Sequence, residues 1–366
     1  MPLFIDFHQL DFTPTIEEVK QGHEADLAVK DKHGVKFLQF WYNEQATTIF
    51  CLMEAPTAEA IERCHWEGAG DTPCNIQEVE PLYLRLFMGE AGSLKHDLTM
   101  TVDGQVDPAH RTLLLITLHQ DTTEYSLLPY TPSAQLKQSV IDMLSRFKGR
   151  FVEQLAESML VGVFNSPTSA LACIEDLNAL LKQYQAETDS ALLFRVALHS
   201  GQPLTHSGGF FERATQQTKR LCQASRPNQM VVSAHLKSML ETEAEGALEK
   251  SSALIKVLSE PEENFLHELC GYIEQHLTQE SFNVNRLGEM MGISRPQLYR
   301  KTLALTGRSP NHFIRDIRME RAWDLLKNKK GNVSEVALAV GYANPSYFSK
   351  LFDATFGSKP SAFVGA

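Results

Sequence analysis

One stretch near the C-terminal end of the chain occurs twice, and this repeat limits the possible folds more than any other feature of the sequence. Residues 292–310 read GISRPQLYRKTLALTGRSP, and residues 341–360 read GYANPSYFSKLFDATFGSKP. Each copy opens on a glycine, has a proline four residues later and closes on Gly-x-x-Pro. The two copies predict one structural unit that is used twice. At an offset of 49 residues the matching pairs are Gly292 with Gly341, Pro296 with Pro345, Leu298 with Tyr347, and Tyr299 with Phe348.

Each copy predicts a short helix, a tight turn and a second helix. Apolar residues recur at helical spacing in 284–291 and 333–340, and the glycine that follows can adopt the left-handed conformation required at a helix end. The second helix has a proline in its first turn, where the missing N–H costs nothing. The expected N-caps are Asn283 and Asn332 for the first helices, and Ser294 and Ala343 for the second helices.

A small residue lies in the middle of each first helix, Gly288 in one copy and Ala337 in the other. A small side chain at this position lets the two helices of a unit pack closely together. Close packing of this kind is required in a DNA-reading helix-turn-helix. The repeat therefore predicts two such units in one chain.

Charge is divided unevenly along the sequence. Residues 281–366 contain 13 Lys and Arg against 6 Asp and Glu, about +7, whereas the whole chain carries −11. Residues 1–280 therefore carry about −18. A phosphate backbone attracts a basic segment because each neutralised phosphate releases counterions. A basic segment could equally be an ordinary solvated surface, so charge does not decide between the two interpretations. The repeat favours DNA binding.

Residues 265–363 resemble the DNA-binding domain of the AraC/XylS-type transcription regulators. LGEMMGISRPQLYRKTLALTGRSPNHFIRDIRMERAWDLL, followed by VSEVALAVGYANPSYFSKLFDATFGSKPSAF, carries the resemblance. It implies two helix-turn-helix units joined by a long helix at 310–328, which can place both recognition helices in successive major grooves roughly 34 Å apart. The apolar face of that helix would consist of Phe313, Ile317, the stem of Arg321, Trp323, Leu325 and Leu326.

Helical spacing predicts which side chains of the recognition helices face the DNA. The packed side is expected to hold Leu298, Leu303 and Leu305 in the first helix, and Tyr347, Phe348, Leu351 and Phe352 in the second. Arginine can bind a guanine edge through two hydrogen bonds, and glutamine can bind an adenine edge in the same way. We expect Arg300 to contact a base, while base and phosphate contact both stay open for Lys350. The predicted DNA-binding residues are Arg295, Gln297, Arg300, Lys301, Asn344, Ser346, Ser349 and Lys350.

The N-terminal part of the chain predicts a small α+β unit of the ferredoxin-like kind, because its strands and helices follow the order βαββα and a further strand. Four histidines lie in this part, at His8, His23, His33 and His65. Histidines at such density fit either unrelated surface positions or a shared metal site. The predicted strands are 1–10, 35–42, 48–54 and 76–79, and the predicted helices are 16–32 and 57–66.

Residues 1–80 are similar to the small ferredoxin-like proteins described as nickel-binding. MPLFIDFHQL, GHEADLAVKDKHGVKFLQFWYNE and TTIFCLMEAPTAEAIERCH carry the similarity. It implies that His8, His23 and His65 bind a transition metal, nickel first, with Cys51 as a neighbouring ligand; nitrogen donors also suit copper and zinc. The chain departs from that family at Ala69, where a histidine is usual.

The middle of the chain, 108–240, predicts an α/β arrangement from apolar strands at 111–117, 159–164 and 193–199 and an amphipathic helix at 166–184. The stretch FRVALHSGQPLTHSGGFFERATQQTKRLCQASRPNQMVVSAHL, with GRFVEQLAESMLVGVFNSPTSALACI before it, resembles the catalytic domain of class III nucleotidyl cyclases.

Those cyclases hold two metal ions with a pair of aspartates, because the triphosphate needs hard oxygen ligands. In this chain the resemblance puts Thr117 and Ser158 at the aspartate positions and Gln216 at the position of an asparagine, while Arg220 keeps the family's residue type. Asp121 and Glu157 lie nearby in sequence but would need a shift in register to serve. We therefore expect no enzyme activity, and a sensor or dimerisation role for this domain.

The sequence thus predicts a multidomain protein of the α+β plus all-α class. We expect a DNA-binding transcription regulator whose N-terminal and middle domains sense a metal or a small molecule; the alternative is a nucleotidyl cyclase with an attached DNA-binding domain. The predicted domains are 1–80 ferredoxin-like, 108–240 cyclase-like, 241–263 linker and 264–366 DNA-binding.

Several partners follow from this interpretation. We expect double-stranded DNA and RNA polymerase, a small-molecule or nucleotide effector, and a homodimer as an assembly that a cyclase-like domain permits. No apolar run approaches the eighteen or so residues of a membrane span, so no membrane is expected. Six cysteines without a CxxC pair indicate reduced thiols without disulfides and a cytoplasmic protein.

Overall fold

The structure is a computed structural model and describes residues 1–89, 93–123, 126–152, 159–188, 192–243, 246, 248 and 255–364; for residues 93, 120–129 and 364 it describes the backbone alone. The described residues form two β-sheets with packed helices, followed by a C-terminal helical region. Within these ranges no helix is both long and apolar enough to cross a membrane. The predicted mixture of α+β and all-α regions is confirmed.

The N-terminal unit has the predicted ferredoxin-like order. Its strands lie in the order β4-β1-β3-β2, and β1 pairs antiparallel with both β3 and β4. Local chemistry sets the ends of the first helix: Thr15 and Glu18 form a capping box, and Gly34 ends the helix at φ 67°. The elements are β1 (Leu3–Gln9), α1 (Ile16–His33), β2 (Lys36–Asn43), β3 (Thr48–Glu54), α2 (Ala58–Glu67) and β4 (Asn75–Glu78).

This first sheet extends beyond residue 80, where the sequence predicted that the domain ends. Helix α3 (Pro81–Met88) follows, and then strands β5 (Ser93–Lys95) and β6 (Leu98–Met100) add to the free edge of β2. Strands of three residues are too short to show an alternating pattern in the sequence. The sequence pattern therefore did not indicate that β5 and β6 extend this sheet.

The middle sheet has the strand order β13-β12-β11-β7-β10-β9, with β8 paired to β7. Helices α4, α5 and α7 pack on one face of this sheet. Helix α6 packs on the other face, in a core that continues into both the N-terminal unit and the C-terminal region. The elements are β7 (Arg111–Thr123), β8 (Ser126–Pro129), α4 (Ala134–Arg146), β9 (Arg150–Val152), β10 (Met159–Phe164), α5 (Pro167–Thr188), β11 (Leu192–Gly201), α6 (Glu212–Ala224), β12 (Gln229–Val232), α7 (Ala234–Glu243) and β13 (Ile255–Val257).

The predicted linker at 241–263 contains a strand of the middle sheet. Ile255 pairs with Met230 of β12 in parallel register, and the buried Leu258 follows directly. The next helix begins at Glu260, after a capping box between Ser259 and Glu262. The acidic, small-residue composition of this segment gave no sign of a three-residue strand. Only Leu258 and Ser259 lie between the last strand of the middle sheet and the first helix of the C-terminal region.

The C-terminal region has two hydrophobic cores. The first includes α8, α9, α10 and the first half of α11, and it is continuous with the core of the middle domain. The second contains Met319, Ala322 and Leu326 from the other half of α11, packed against the last helices. The elements are α8 (Glu260–His276), α9 (Val284–Met290), α10 (Arg295–Thr306), α11 (Pro310–Lys327), α12 (Val333–Ala339), α13 (Pro345–Phe356) and α14 (Ser361–Val364).

Candidate DNA-binding surface and metal centre

Both predicted helix-turn-helix units are present, with the expected caps on their first helices. Asn283 Oδ1 accepts hydrogen bonds from two backbone N–H groups at the start of α9, and Asn332 Oδ1 does the same for α12. The turn glycines Gly292 and Gly341 have φ of 64° and 80°, which favours glycine. The position of Gly288 in α9 favours a small residue, because a Cβ there would make a tight contact of 3.1 Å with the Ile293 carbonyl oxygen.

The turn in the second unit is one residue longer than the turn in the first. Helix α10 has Ser294 as its N-cap, two residues after the glycine, whereas α13 has Asn344, three residues after the glycine. The expected cap at Ala343 is therefore wrong. Beyond the turn the repeat runs at an offset of 50, so the buried Leu298 corresponds to the buried Phe348.

This extra residue explains the error at Tyr347 in the predicted packed side of α13. Tyr347 was expected to pack but is 57% exposed, because the offset of 49 paired it with Leu298. In the first unit Leu303 was also expected to pack and is 39% exposed, while Thr302 is fully buried in its place. The corrected register pairs Arg300 with Lys350.

The predicted DNA-binding residues of α10 are all exposed, but they differ in whether their side chains already contact other residues of the protein. Arg295 and Arg300 are exposed. Gln297 Oε1 accepts a hydrogen bond from the Ser294 N–H at 3.0 Å and completes a capping box, so this oxygen is engaged within the helix. Lys301 is exposed, with its Nζ 5.2 Å from the centre of the Phe265 ring.

The predicted residues of α13 also divide by role. Asn344 Oδ1 accepts hydrogen bonds from the N–H groups of Ser346 and Tyr347, both at 3.0 Å, and thus caps the helix. The side chains of Ser346 and Lys350 are exposed, and Ser349 is half-buried. Helix α13 also contacts β8 of the middle domain. The structure therefore leaves Lys350 as the exposed cation of the second recognition helix among the predicted residues.

A buried group of potential metal ligands lies in the N-terminal unit. One ligand atom each from Asp6, His8, Cys51 and His65 lies within 4.8 Å of the others, and all four residues are buried. Strand β1 supplies Asp6 and His8, which share a face because they are two residues apart. Strand β3 supplies Cys51 and helix α2 supplies His65. The structure thus brings together three of the four predicted ligands and adds Asp6.

Each histidine of this group has one ring nitrogen held by an outer carboxylate. His65 Nδ1 lies 2.7 Å from Asp26 Oδ2, and His8 Nδ1 lies 2.9 Å from Asp71 Oδ2. Both Nε2 atoms point towards Asp6: His65 Nε2 is 2.8 Å from Asp6 Oδ2, and His8 Nε2 is 3.5 Å away, with no hydrogen-bond partner among the residues that the structure describes. An outer carboxylate on the second ring nitrogen is the usual arrangement around a metal-binding histidine.

The Asp6 carboxylate and the two histidine rings stabilise each other's charged forms. Burial alone would raise the pKa of Asp6, but the His8 and His65 rings outweigh it and hold that pKa well below its usual range. Burial alone would lower the histidine pKa values, yet the Asp6 carboxylate raises the pKa of His8 to about 9 and that of His65 to about 10. Burial also raises the pKa of the Cys51 thiol. A metal would bind here by displacing these protons.

Ala69 contributes only its backbone to this group of residues. The Ala69 N–H donates to Asp26 Oδ1 at 3.0 Å, which leaves Asp26 Oδ2 for His65. Gly68 makes the approach possible, because a Cβ there would lie 2.7 Å from the Asp26 Cα. Asp26 and Asp71 were not predicted as members of this site, since each is distant in sequence from the histidine that it contacts.

His23 lies apart from the other predicted ligands. Its ring packs against Phe37 and Phe40, and neither ring nitrogen has a hydrogen-bond partner among the described residues. His23 Nε2 is 3.5 Å from Asp97 Oδ2, which comes from the segment after β5. The structure therefore does not place His23 with His8 and His65, because α1 packs this ring onto β2.

Two of the positions that the cyclase resemblance singled out, Gln216 and Arg220, contact the C-terminal region. Gln216 Nε2 donates to Glu274 Oε2 at 3.0 Å, and the buried Arg220 bonds Glu274 as well as His267 Nδ1, at 2.8 Å. Thr117 offers a hydroxyl, which lies 3.4 Å from Cys222 Sγ. Ser158 and Glu157 lie outside the described residues, as does the side chain of Asp121. This face of the middle domain therefore packs against α8.

Comparisons with known proteins give matches for the N-terminal and the C-terminal regions of the chain. Residues 287–366 match the model of a helix-turn-helix domain, and residues 4–79 match the model of the nickel responsive proteins similar to SCO4226. The solved structure of SCO4226 from Streptomyces coelicolor A3(2) is 40% identical to this chain, and the alignment covers 21% of this chain and 94% of that one with a TM-score of 0.20.

Two curated relatives match over a shorter share of their length. Histidine kinase P4 of Formosa agariphila is 36% identical over 106 residues, which are 29% of this chain and 8% of that protein. The Msm operon regulatory protein of Streptococcus mutans is 30% identical over 116 residues, which are 32% of this chain and 39% of that protein. The chain therefore spans much less than two thirds of these relatives. Its residues 4–79 form a domain of the SCO4226-like family, and its residues 287–366 form an AraC-type helix-turn-helix domain.

Proposed function

We propose that the protein is a transcription regulator that reads DNA with α10 and α13. The observation that carries this proposal is the pair of capped helix-turn-helix units on one long helix, α11, in the basic part of the chain. Arg300 and Lys350 occupy corresponding outward positions of the two recognition helices. One chain can therefore contact two short DNA segments about one helical turn apart.

Selection of DNA from a random library by the full chain tests this proposal. We expect an enriched site with two short half-sites whose centres are about 10–10.5 base pairs apart. Binding should weaken steeply with salt, because the contacts release counterions from the phosphates. Binding without any enriched sequence would contradict the proposal. Lys182→Ala serves as a control, because Lys182 is exposed on α5, on the opposite face of the middle sheet.

We further propose that the N-terminal unit binds a transition metal through Asp6, His8, Cys51 and His65. The buried Nε2 of His8, which has no hydrogen-bond partner within the described part of the chain, and the outer carboxylates on both rings support this set. Imidazole, thiolate and carboxylate donors together suit nickel, copper or zinc. Of these, nickel is favoured because the family model for residues 4–79 describes nickel responsive proteins.

Calorimetric titration with nickel, copper and zinc tests the metal centre and separates two ligand sets. If the geometry of the structure defines the site, His8→Ala and His65→Ala should lose binding, whereas His23→Gln should keep it. If the family resemblance defines the site, His23→Gln should lose binding as well. His33→Ala is the control, since His33 contacts Glu67 on the surface. Equal heats from the native protein and the His8→Ala, His65→Ala double variant would contradict metal binding at this group.

The enzyme alternative has a direct test. The Msm operon relative is named as a regulatory protein, and the face with Gln216 and Arg220 packs against α8. We therefore expect no cyclic nucleotide when the purified protein is incubated with ATP or GTP and manganese. Cyclic product at enzymatic rates would overturn this part of the proposal. As a regulator the protein would also contact RNA polymerase, which a pull-down with purified polymerase would test.

A further inference from the structure

A cavity of about 680 Å³ lies where the N-terminal unit, the middle domain and α8 meet. This volume is typical of small-molecule sites. The N-terminal unit reaches its rim at Ala46, and helix α8 contributes Glu263 and His267. The other side chains that carry the argument come from the middle domain: His110, His199, Arg213 and His235. Four histidines in one cavity are not used by the DNA-binding surface or the metal centre.

The hydrogen bonds of His110 fix which of its nitrogens carries the proton. Asn43 Oδ1 accepts from the Ala46 N–H at 2.9 Å, so the Asn43 amide nitrogen must be the group that faces His110 Nδ1, at 2.7 Å. This nitrogen is a donor, and His110 Nδ1 is therefore the acceptor. Burial lowers the pKa of His110 to about 4, which keeps the ring neutral. His110 consequently has an N–H on Nε2.

His267 is held in the same state by two other donors. Its Nδ1 accepts hydrogen bonds from Arg220 Nη1 at 2.8 Å and from Gln217 Nε2 at 2.6 Å. A guanidinium can only donate, so His267 Nδ1 has no proton. The ring therefore has its N–H on Nε2 as well. His110 and His267 thus each have an Nε2–H that is not engaged by Asn43, Arg220 or Gln217.

A cation and a further unsatisfied ring complete the lining. Arg213 is exposed, and no ion pair joins it to another described residue. The buried His199 Nδ1 has no hydrogen-bond partner among the described residues and lies 3.8 Å from Glu263 Oε1. The His235 ring lies between those of His110 and His199, with centroid distances of 6.1 and 6.0 Å. The cavity thus offers one guanidinium and several imidazole groups to an occupant, beside the carboxylates of Glu260 and Glu263.

We propose that this cavity binds a small organic anion with a carboxylate or phosphate group, held by Arg213 and by the N–H groups of His110 and His267. A guanidinium binds either anion through paired hydrogen bonds, and the two imidazole N–H groups add neutral donors. Glu263 Oε2 accepts from the Ala234 N–H at 2.7 Å, which leaves Oε1 to accept from a hydroxyl or amino group of the same molecule.

The position of the cavity gives such a ligand a route to the DNA-binding region. Glu263 and His267 lie one turn apart on α8, and α8 packs against α9 of the first helix-turn-helix unit. An anion that draws Arg213 and His267 together would bring α6 and α8 closer. The anion would therefore act as an effector, a role that rests on the proposed function as a DNA-binding regulator.

Calorimetric titration of the full chain with inorganic phosphate and, separately, with citrate tests the site. We expect saturable binding of at least one probe at millimolar concentrations, and the two titrations distinguish a phosphate from a carboxylate ligand. Arg213→Gln should weaken the binding at least about tenfold, because a charged hydrogen-bonding group is lost. Lys237→Gln is the control, as it removes the same charge from α7 outside the cavity and should change the affinity less than twofold.

Three results would overturn the inference: no saturable binding of either probe, equal affinity in native protein and Arg213→Gln, or saturable nickel binding that depends on His199 and His235 in place of anion binding. Circular dichroism confirms that each variant is folded. DNA selection with the native protein, beside its anion titrations, separates this inference from the proposed function. An intact DNA preference with no anion binding would contradict the cavity alone, whereas anion binding without any DNA preference would contradict the regulator.

Discussion

At the residue scale, Arg300 and Lys350 occupy the same position of the two recognition helices, six residues after their N-caps. We expect Arg300→Ala to cost about 1–3 kcal/mol of binding free energy and to relax the preference at one base. Lys350→Ala should relax the preference in the other half-site. Lys301→Ala should weaken all sequences alike and reduce the salt slope by about one. DNA selection at two salt concentrations measures all three; unchanged preference in Arg300→Ala would contradict the assignment.

The cavity histidines predict how stability depends on pH. Burial lowers the pKa of His199 to about 3 and that of His110 to about 4, below the usual 6.5. Below pH 6.5 the unfolded chain takes up protons that the folded chain does not, so the stabilisation present above 6.5 is lost as pH falls. At pH 5 each ring should therefore lower the free energy of unfolding by about 2 kcal/mol relative to its value above pH 6.5.

Replacement of one of these rings tests that dependence. His199→Gln removes one such titration, so between pH 7 and pH 5 it should lose about 2 kcal/mol less unfolding free energy than the native protein. Denaturant unfolding at both pH values measures the difference. His96→Gln is the control, because His96 is exposed and outside the cavity. A His199→Gln protein with the native pH dependence would show that this ring does not titrate as its burial requires.

At the element scale, the two turns share a glycine but differ in what surrounds it. Gly292 has φ 64° and open space around it, whereas a Cβ on Gly341 would clash with the Leu277 carbonyl oxygen and lie 2.8 Å from Arg318 Nη2. We expect Gly292→Ala to cost about 1–2 kcal/mol from the left-handed backbone alone. Gly341→Ala should cost more, since the close contact adds to the backbone strain. Denaturant unfolding compares the two variants, and equal losses would contradict a steric cost from the Leu277 carbonyl oxygen and Arg318.

At the scale of the whole molecule, the first helix-turn-helix unit shares its core with the middle domain, while the second unit has a core of its own. A small separate core opens at lower free energy than a large continuous one. Amide hydrogen exchange should therefore be faster for peptides from α12 and α13 than for peptides from α8 and α10. Equal protection in the two units would indicate one cooperative structure throughout.

Sequence reasoning predicted the elements that depend on local chemistry. The caps Asn283 and Asn332, the turn glycines and the ferredoxin-like order all follow from short-range preferences of the backbone. The cyclase resemblance of the middle domain stays a prediction, because no comparison tests it. The errors concern positions where one residue changes the register, as at Ala343 and Tyr347, or where short strands such as β13 gain their stability from neighbours that are distant in sequence.

The sequence by itself determined that the chain has two helix-turn-helix units and a histidine-rich α+β unit, because capping, turn chemistry and hydrophobic period act over a few residues. Only the tertiary structure decided which side chains meet. Asp26 and Asp71 reach His65 and His8 across 39 and 63 residues, and His23 is directed away from them by the packing of α1. The same holds for the cavity at α8, whose walls come from three regions of the chain. Contacts of this length depend on how the sheets and helices pack, and short-range preferences do not specify that packing.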